Sequence, residues 1–340
     1  MKILITVDPE IPVPPKLYGG IERIADSLAS EYKAAEHEVI LLAHPASSCK
    51  AAKTKYGWKG AKSQDKRDIL TNAIQLFQVY QKEKPDIIHS FSRLLYLYPL
   101  FLFSKALFVQ SYQRAISAKS TSIAKSLAGP RLRLTACGAH LFQQLPQVAH
   151  WTAIHNFTDT DFLTPNSNQS KEYLLFLGRI EPIKGTKEAI EAAKATGEKL
   201  LIAGNIPEAY QSYFDQEVKP WLSDQIQYVG PVNDVQKREL FQGAKAFLFP
   251  IQWEEPFGIV MAESLACGVP IIAFDRGSVP EVVIHGKNGF ICKSLQEMVN
   301  AIDKIETIAP SSCRKYAETN FSSHSIAKKY LLLFEDLLNA

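Results

Sequence analysis

Apolar residues recur along this 340-residue chain in two alternating rhythms. Short runs of β-branched residues and leucine, as in KILITV at 2–7 and EVILLA at 38–43, read as strands buried on both faces. Between them, apolar positions three and four apart mark amphipathic helices, with Ile21, Ile24, Ala25, Leu28, Ala29 and Tyr32 in one and Ile69, Leu70, Ala73, Ile74, Phe77 and Tyr80 in another. The first of these starts directly at Gly19-Gly20. Further strands are predicted at 85–90, 107–111, 133–137 and 152–154, and the polar stretch 47–66 as a loop with some helix. After the polar segment 166–171, strands are predicted at 173–177, 199–203, 226–229, 246–249 and 271–274, and helices at 259–267, 296–308 and 326–338. The alternation predicts an α/β chain of two doubly wound, Rossmann-like parallel-sheet domains, 1–165 and 166–320.

Composition narrows the class. The longest apolar run, 94–103, is about half of what a bilayer requires and contains Pro99. The N-terminal MKILITVDPE, with Asp8 and Pro9, does not suit a signal peptide. Five cysteines, odd in number and without a Cys-x-x-Cys pair, predict a reducing, cytoplasmic setting and give no metal signature. The net charge of +3 is unevenly spread: residues 1–165 carry a balance of +7 and residues 166–340 a balance of −4. No Asp or Glu occurs between Asp86 and Asp159, a stretch that includes Arg93, Lys105, Arg114, Lys119, Lys125, Arg131 and Arg133. Two readings of this stretch stand side by side: the run 94–103 lies against the anionic inner face of a membrane as a peripheral contact, or it is a buried helix among scattered surface lysines. No nucleic-acid-binding module accompanies the basic residues, so no nucleic-acid partner is expected.

The stretch 249–292 concentrates the candidate chemistry. A strand, a polar loop, a helix opening at Gly258 and a further strand make a parallel unit whose ligand position lies at the strand end and the helix N-terminus. Glu255 precedes the helix and Glu263 sits about one turn inside it, in an otherwise apolar and small-residue run where an unpaired carboxylate would be expensive. Glu263 suits hydroxyl groups of a ligand, and the free N–H groups of Gly258, Ile259 and Val260 suit an anion. A nucleotide sugar has both. No Gly-x-Gly-x-x-Gly follows a predicted strand, which argues against a dinucleotide oxidoreductase.

Glu255 and Glu263 with the intervening PFG, followed by ACGVPIIAFDRGSVPEV, resemble the signature of retaining glycosyltransferases of the GT-B fold, family 4; FLGRIEPIKG, YVGPVND and HNFTDTDFLTP extend the resemblance over most of the C-terminal half. It implies two Rossmann-like domains facing a central cleft, with the helix at 321–340 crossing back to the N-terminal, acceptor-side domain. It further implies sugar transfer from a nucleoside-diphosphate sugar to a hydroxyl of a glycan, lipid-linked or small-molecule acceptor, with envelope polysaccharide assembly as one setting. A non-catalytic nucleotide-sugar binding protein of the same fold is the alternative.

The resemblance assigns roles. Arg179 and Lys184 offset charge on the departing phosphate without a metal or other cofactor, and Glu255 contacts the donor sugar near the reacting carbon. Glu263 takes the ribose hydroxyls, Gly178, Gly258, Ile259 and Val260 line the donor, and Gly230 and Val232 lie near the base. Asp159-Thr160-Asp161 looks like a metal-binding Asp-x-Asp but falls in an interdomain segment, where a turn is expected. On the acceptor or phosphate side the candidates are Gly19, Gly20, His89, Ser90, Arg93, Tyr112 and Gln113. The last two stand where many members place a histidine.

Overall fold

The computed structural model describes residues 1–15, 19–145 and 151–340. By packing it divides into unit 1, Met1–Asn156 with Ser323–Ala340, and unit 2, Phe157–Ser322. Unit 1 is built on β1 (Lys2–Thr6), β2 (Glu38–Ala43), β3 (Thr54–Gly57), β4 (Ile87–Ser90), β5 (Leu107–Tyr112), β6 (Leu132–Ala136) and β7 (Trp151–Ala153). These form one parallel sheet in the order β3-β2-β1-β4-β5-β6-β7, with α1 (Gly20–Ala34), α2 (Lys66–Glu83), α3 (Tyr98–Phe103) and α4 (Ala118–Ala128) as connections. Unit 2 carries β8 (Tyr173–Leu177), β9 (Leu200–Ala203), β10 (Ile226–Gly230), β11 (Ala244–Phe249), β12 (Ile271–Phe274) and β13 (Gly289–Cys292), also parallel, in the order β10-β9-β8-β11-β12-β13. Its helices are α5 (Thr186–Thr196), α6 (Gln211–Tyr213), α7 (Asp234–Gly243), α8 (Ile259–Ala266), α9 (Val279–Val282), α10 (Leu295–Ile302) and α11 (Pro310–Phe321). A last helix, α12 (Ser323–Asn339), belongs to unit 1.

Both sheets reverse strand order beside their first strand, between β1 and β4 and between β8 and β11. In open parallel sheets ligands settle outside the carboxyl ends at such a point. The division at Asn156/Phe157 falls before the expected one at 165/166 because the intervening segment bonds to unit 2: Thr158 N–H donates to Phe321 C=O at 2.9 Å, Gln242 to Thr164 C=O at 2.7 Å, and Arg314 to Leu163 C=O at 2.6 Å.

The apolar run 94–103 breaks into a 3₁₀ turn, Leu94–Leu97, and α3. Leu94, Tyr96, Leu97, Leu100 and Phe101 join the core of unit 1 with Leu4, Ile88 and Phe108, leaving Leu102 57% and Phe103 71% exposed. The buried-helix reading therefore accounts for most of the run. Arg131 donates to Phe101 C=O and Ser104 C=O, both at 2.7 Å, and so satisfies the otherwise open end of α3. All five cysteines are free and buried. No described helix is long and apolar enough to cross a membrane.

Candidate donor site and the unit 1 cavity

The carboxyl ends of β8 and β11 bring two of the predicted residues together. Arg179 follows β8, and Lys184 closes a short turn, Pro182–Lys184, that ends at Gly185 in the left-handed region at φ 80°. A Cβ on Gly185 would lie 1.9 Å from the C=O oxygen of Pro250, just past β11, so only glycine lets the two strand ends approach this closely. Across that contact Lys184 Nζ donates to Glu255 Oε2 at 2.5 Å, with both side chains largely buried. Trp253 Nε1 donates to the same oxygen at 2.9 Å, and its ring lies 5.0 Å from the Lys184 ammonium. A cation over an indole face is itself attractive. Glu255 is therefore fixed by a cation, an indole N–H and, through its C=O, the N–H of Ser278 at 3.0 Å. Gly277, at φ 53°, packs so tightly on the Glu255 peptide that a Cβ would meet its N at 2.4 Å.

Arg179 is half exposed and pairs with Glu181 at 2.8 Å, whose side chain is 3% exposed. Gly258 takes the left-handed conformation as the N-cap of α8, and Ile259 and Val260 form its first turn, where N–H groups have no partner within the helix. Glu263 is one turn further in and is paired with Lys237 of α7 at 2.5 Å; Lys237 also reaches Asp234 at 3.2 Å. Burial pulls the pKa of Lys237 down, but Glu263 and Asp234 outweigh it and hold the ammonium above its ordinary value. Gly178 follows β8 directly, and Gly230 and Val232 lie at the carboxyl end of β10, the outer strand of the sheet. A hollow of about 700 Å³ elsewhere in unit 2, by Tyr316 and Asn288, is lined by none of the predicted residues.

Four contributors went unread in the sequence: Glu181, Lys237, Trp253 and Gly277. Glu181 and Trp253 sit inside or beside quoted motifs, and an acid and an indole next to required cations and carboxylates were the available signal. Lys237 had none, because its pairing with Glu263 depends on the packing of α7. At Asp159, Oδ1 accepts the N–H groups of Asp161 at 3.1 Å and Phe162 at 2.9 Å, the geometry of an Asx turn.

In unit 1 the candidates separate, and two are corrected. His89 is fully buried: its Nδ1 lies 3.1 Å from Tyr32 Oη and its Nε2 2.8 Å from Ser111 Oγ, with Phe91, Tyr330 and Phe334 around the ring. Burial pushes its pKa down to about 3, so the ring is a neutral core group and not a ligand contact. Ser90 is likewise fully buried and bonds Ser92 Oγ at 3.2 Å. They lie on opposite faces of β4, a central strand whose four residues are all buried. Arg93, Tyr112 and Gln113, by contrast, line a cavity of about 380 Å³ together with Gln110 and Arg114. Gly19 precedes α1 and Gly20 opens it.

Two family models match, glycosyl transferases group 1 over residues 158–321 and glycosyltransferase family 4 over residues 18–120, between them most of the chain. The chain belongs to the group 1 glycosyltransferases. Among curated proteins, this glycosyltransferase chain is 26% identical over 183 residues to the N-acetyl-alpha-D-glucosaminyl L-malate synthase of Bacillus anthracis, covering 50% of this chain and 47% of that one. It is 28% identical over 151 residues to the D-inositol 3-phosphate glycosyltransferase of Mycolicibacterium smegmatis, covering 40% and 35%. The chain spans at most about half the length of the curated relatives it matches. Among solved structures, Anabaena HepE in complex with UDP-glucose superposes with a TM-score of 0.76 at 17% identity, covering 99% of this chain and 100% of that one. The architecture is GT-B.

Proposed function

We propose that the chain transfers a sugar from a nucleoside-diphosphate sugar to an acceptor hydroxyl, with retention of configuration and without a metal. The observation that carries this reading is the Lys184–Glu255–Trp253 cluster at the switch point between β8 and β11, with the N-terminus of α8 and Glu263 beside it. Lys184 and Arg179 supply fixed positive charge for the departing phosphate, where preorganised charge lowers the barrier without reorganisation at the moment of reaction. The N–H groups of Gly258, Ile259 and Val260 meet a phosphate or sugar oxygen, and Glu263 accepts from the ribose hydroxyls through the oxygen that Lys237 leaves free. Glu255, oriented by its two donors, faces the donor sugar. UDP-glucose in HepE supports a nucleotide-sugar donor, and malate and inositol phosphate in the names of two relatives support a small polar acceptor. The five buried free thiols support a cytoplasmic setting. The part of the run left for a peripheral contact with an anionic leaflet is its exposed end, Leu102 and Phe103 with Lys105.

The test is a thermal-shift screen of UDP, GDP, ADP and their common sugars without added metal, followed by turnover, because a ligand of the native state raises apparent stability. A base-selective shift that Glu263→Gln and Arg179→Ala weaken supports the reading. Unchanged nucleotide affinity and turnover in both variants would remove the assignment.

A further inference from the structure

Unit 1 has its own switch point, between β1 and β4, and the 380 Å³ cavity opens beside it at the ends of β4 and β5. Among the described residues no acidic side chain lines that cavity. Three of the residues that do line it keep a buried polar atom without a hydrogen-bond partner: Arg93 Nε, Gln110 Oε1 and Gln113 Oε1. Gln110 is 2% exposed, and its Nε2 is committed to Ser92 C=O at 3.0 Å, so the amide orientation is fixed and the oxygen is its open end.

Arg93 is the larger anomaly. Its backbone N–H donates to Asp8 Oδ1 at 2.8 Å, but the other Asp8 oxygen is taken by Arg114 at 3.2 Å. Among the described residues no ion pair engages the Arg93 guanidinium, and the Asp8 carboxylate, held by Arg114, reaches it only through the field of its charge. A half-buried cation next to unpartnered buried acceptors is costly, and the cost disappears if one ligand brings partners for both. A neutral sugar would satisfy the glutamines and leave Arg93 unpaired. Bare phosphate would pair with Arg93 and leave the glutamine oxygens open.

We propose that this cavity receives a small hydroxylated anion, a polyol phosphate or a hydroxycarboxylate. Its acidic group pairs with the guanidinium of Arg93, whose planar fork suits carboxylate and phosphate alike, and its hydroxyls donate to Gln110 Oε1 and Gln113 Oε1. The volume lies within the range usual for small-molecule sites. A neighbouring hollow of about 290 Å³ is lined by Asp8, Glu10 and Glu22 against the single cation Arg114, an acidic balance that favours placing the ligand's acidic group on the Arg93 side. As an acceptor class this rests on the glycosyl-transfer reading; as a binding site it does not.

The experiment measures the melting temperature of the full chain with glycerol 3-phosphate, L-malate, inorganic phosphate or glycerol at matched ionic strength, for wild type and Arg93→Gln. Glycerol 3-phosphate or L-malate is expected to raise it more than glycerol or inorganic phosphate does. Arg93→Gln should weaken that response about tenfold or more while leaving the ligand-free protein at least as stable as wild type. A response to only one of the two hydroxylated anions identifies the acidic group and upholds the site. The inference is overturned if neither stabilises the wild type, if glycerol or inorganic phosphate does as well as the better of the two, if Arg93→Gln responds like wild type, or if Arg93→Gln alone lowers stability. A nucleotide response without an anion response sinks this inference and spares the donor site; the reverse sinks the proposed function and spares the cavity.

Discussion

Lys237 and Glu263 form a 2.5 Å ion pair between α7 and α8, with side chains 17% and 13% exposed. The pair sets the direction of the carboxylate that we assign to the ribose, so Lys237 is a positioning residue. Breaking a largely buried pair by removing one partner is expensive, since the other charge stays behind. Lys237→Met should cost about 3 kcal/mol of unfolding free energy, towards the lower end of values for such pairs because neither side chain is fully enclosed. It should also raise the nucleotide dissociation constant. Urea unfolding with nucleotide titration checks both, and a variant as stable as wild type with unaltered affinity would remove the positioning role.

The Gly185 contact makes a backbone prediction. Gly185→Ala must force its Cβ away from the Pro250 C=O and out of a positive-φ conformation, displacing Lys184 from Glu255. We expect a loss of roughly 1–3 kcal/mol and a drop in kcat larger than the change in KM for the donor. Wild-type kinetics in a folded Gly185→Ala protein would show that the approach of the two strand ends is not needed.

His89 predicts a pH dependence with a definite sign. In the native state it stays neutral down to about pH 3, while an unfolded histidine protonates near 6.5, so below that value the unfolded state binds the extra proton. Stability from this group is complete above pH 6.5 and falls as the pH drops towards 3. By pH 5 the loss is about 2 kcal/mol. Comparing urea midpoints at pH 7 and pH 5 for wild type and His89→Gln tests it: the variant should show the smaller fall, and equal slopes would deny His89 the role.

Aromatic packing by α12 predicts that unit 1 depends on it. Phe334 is fully buried, 5.6 Å from the Tyr32 ring and 5.4 Å from His89, and Tyr330 Oη bonds Ser111 at 3.1 Å. Phe334→Ala should cost about 3–5 kcal/mol. Hydrogen exchange should show the loss in β4 and β5, and protection there equal to wild type would contradict it.

Much of this architecture was legible because parallel strands buried on both faces announce themselves as apolar runs, and 38–43, 173–177 and 271–274 coincide with β2, β8 and β12. Strands without that signature went unread. Both β3, with its exposed Lys55 and Gly57, and β13, which begins at a glycine pressed against Ile271 C=O, are short outer strands. The polar α11 was missed for the same reason. At the donor site, residue types next to phosphate-binding cations were readable, but the partners that hold them came from elsewhere in the chain. His89 and Ser90 misled because a strand end looks the same in sequence whether its side chains face ligand or core.

The placement of α12 also has a consequence for synthesis. A ribosome delivers all of unit 2 before the residues that fill the space beside Tyr32 and His89, so unit 1, though begun first, is completed last. Until then its half-made core exposes apolar surface of the kind that chaperones hold. Unit 2 is one continuous segment whose ends meet at the Thr158–Ser322 bridge. It is the part to express alone, and a chain stopped before residue 323 should leave the first-made unit, not the second, in need of help.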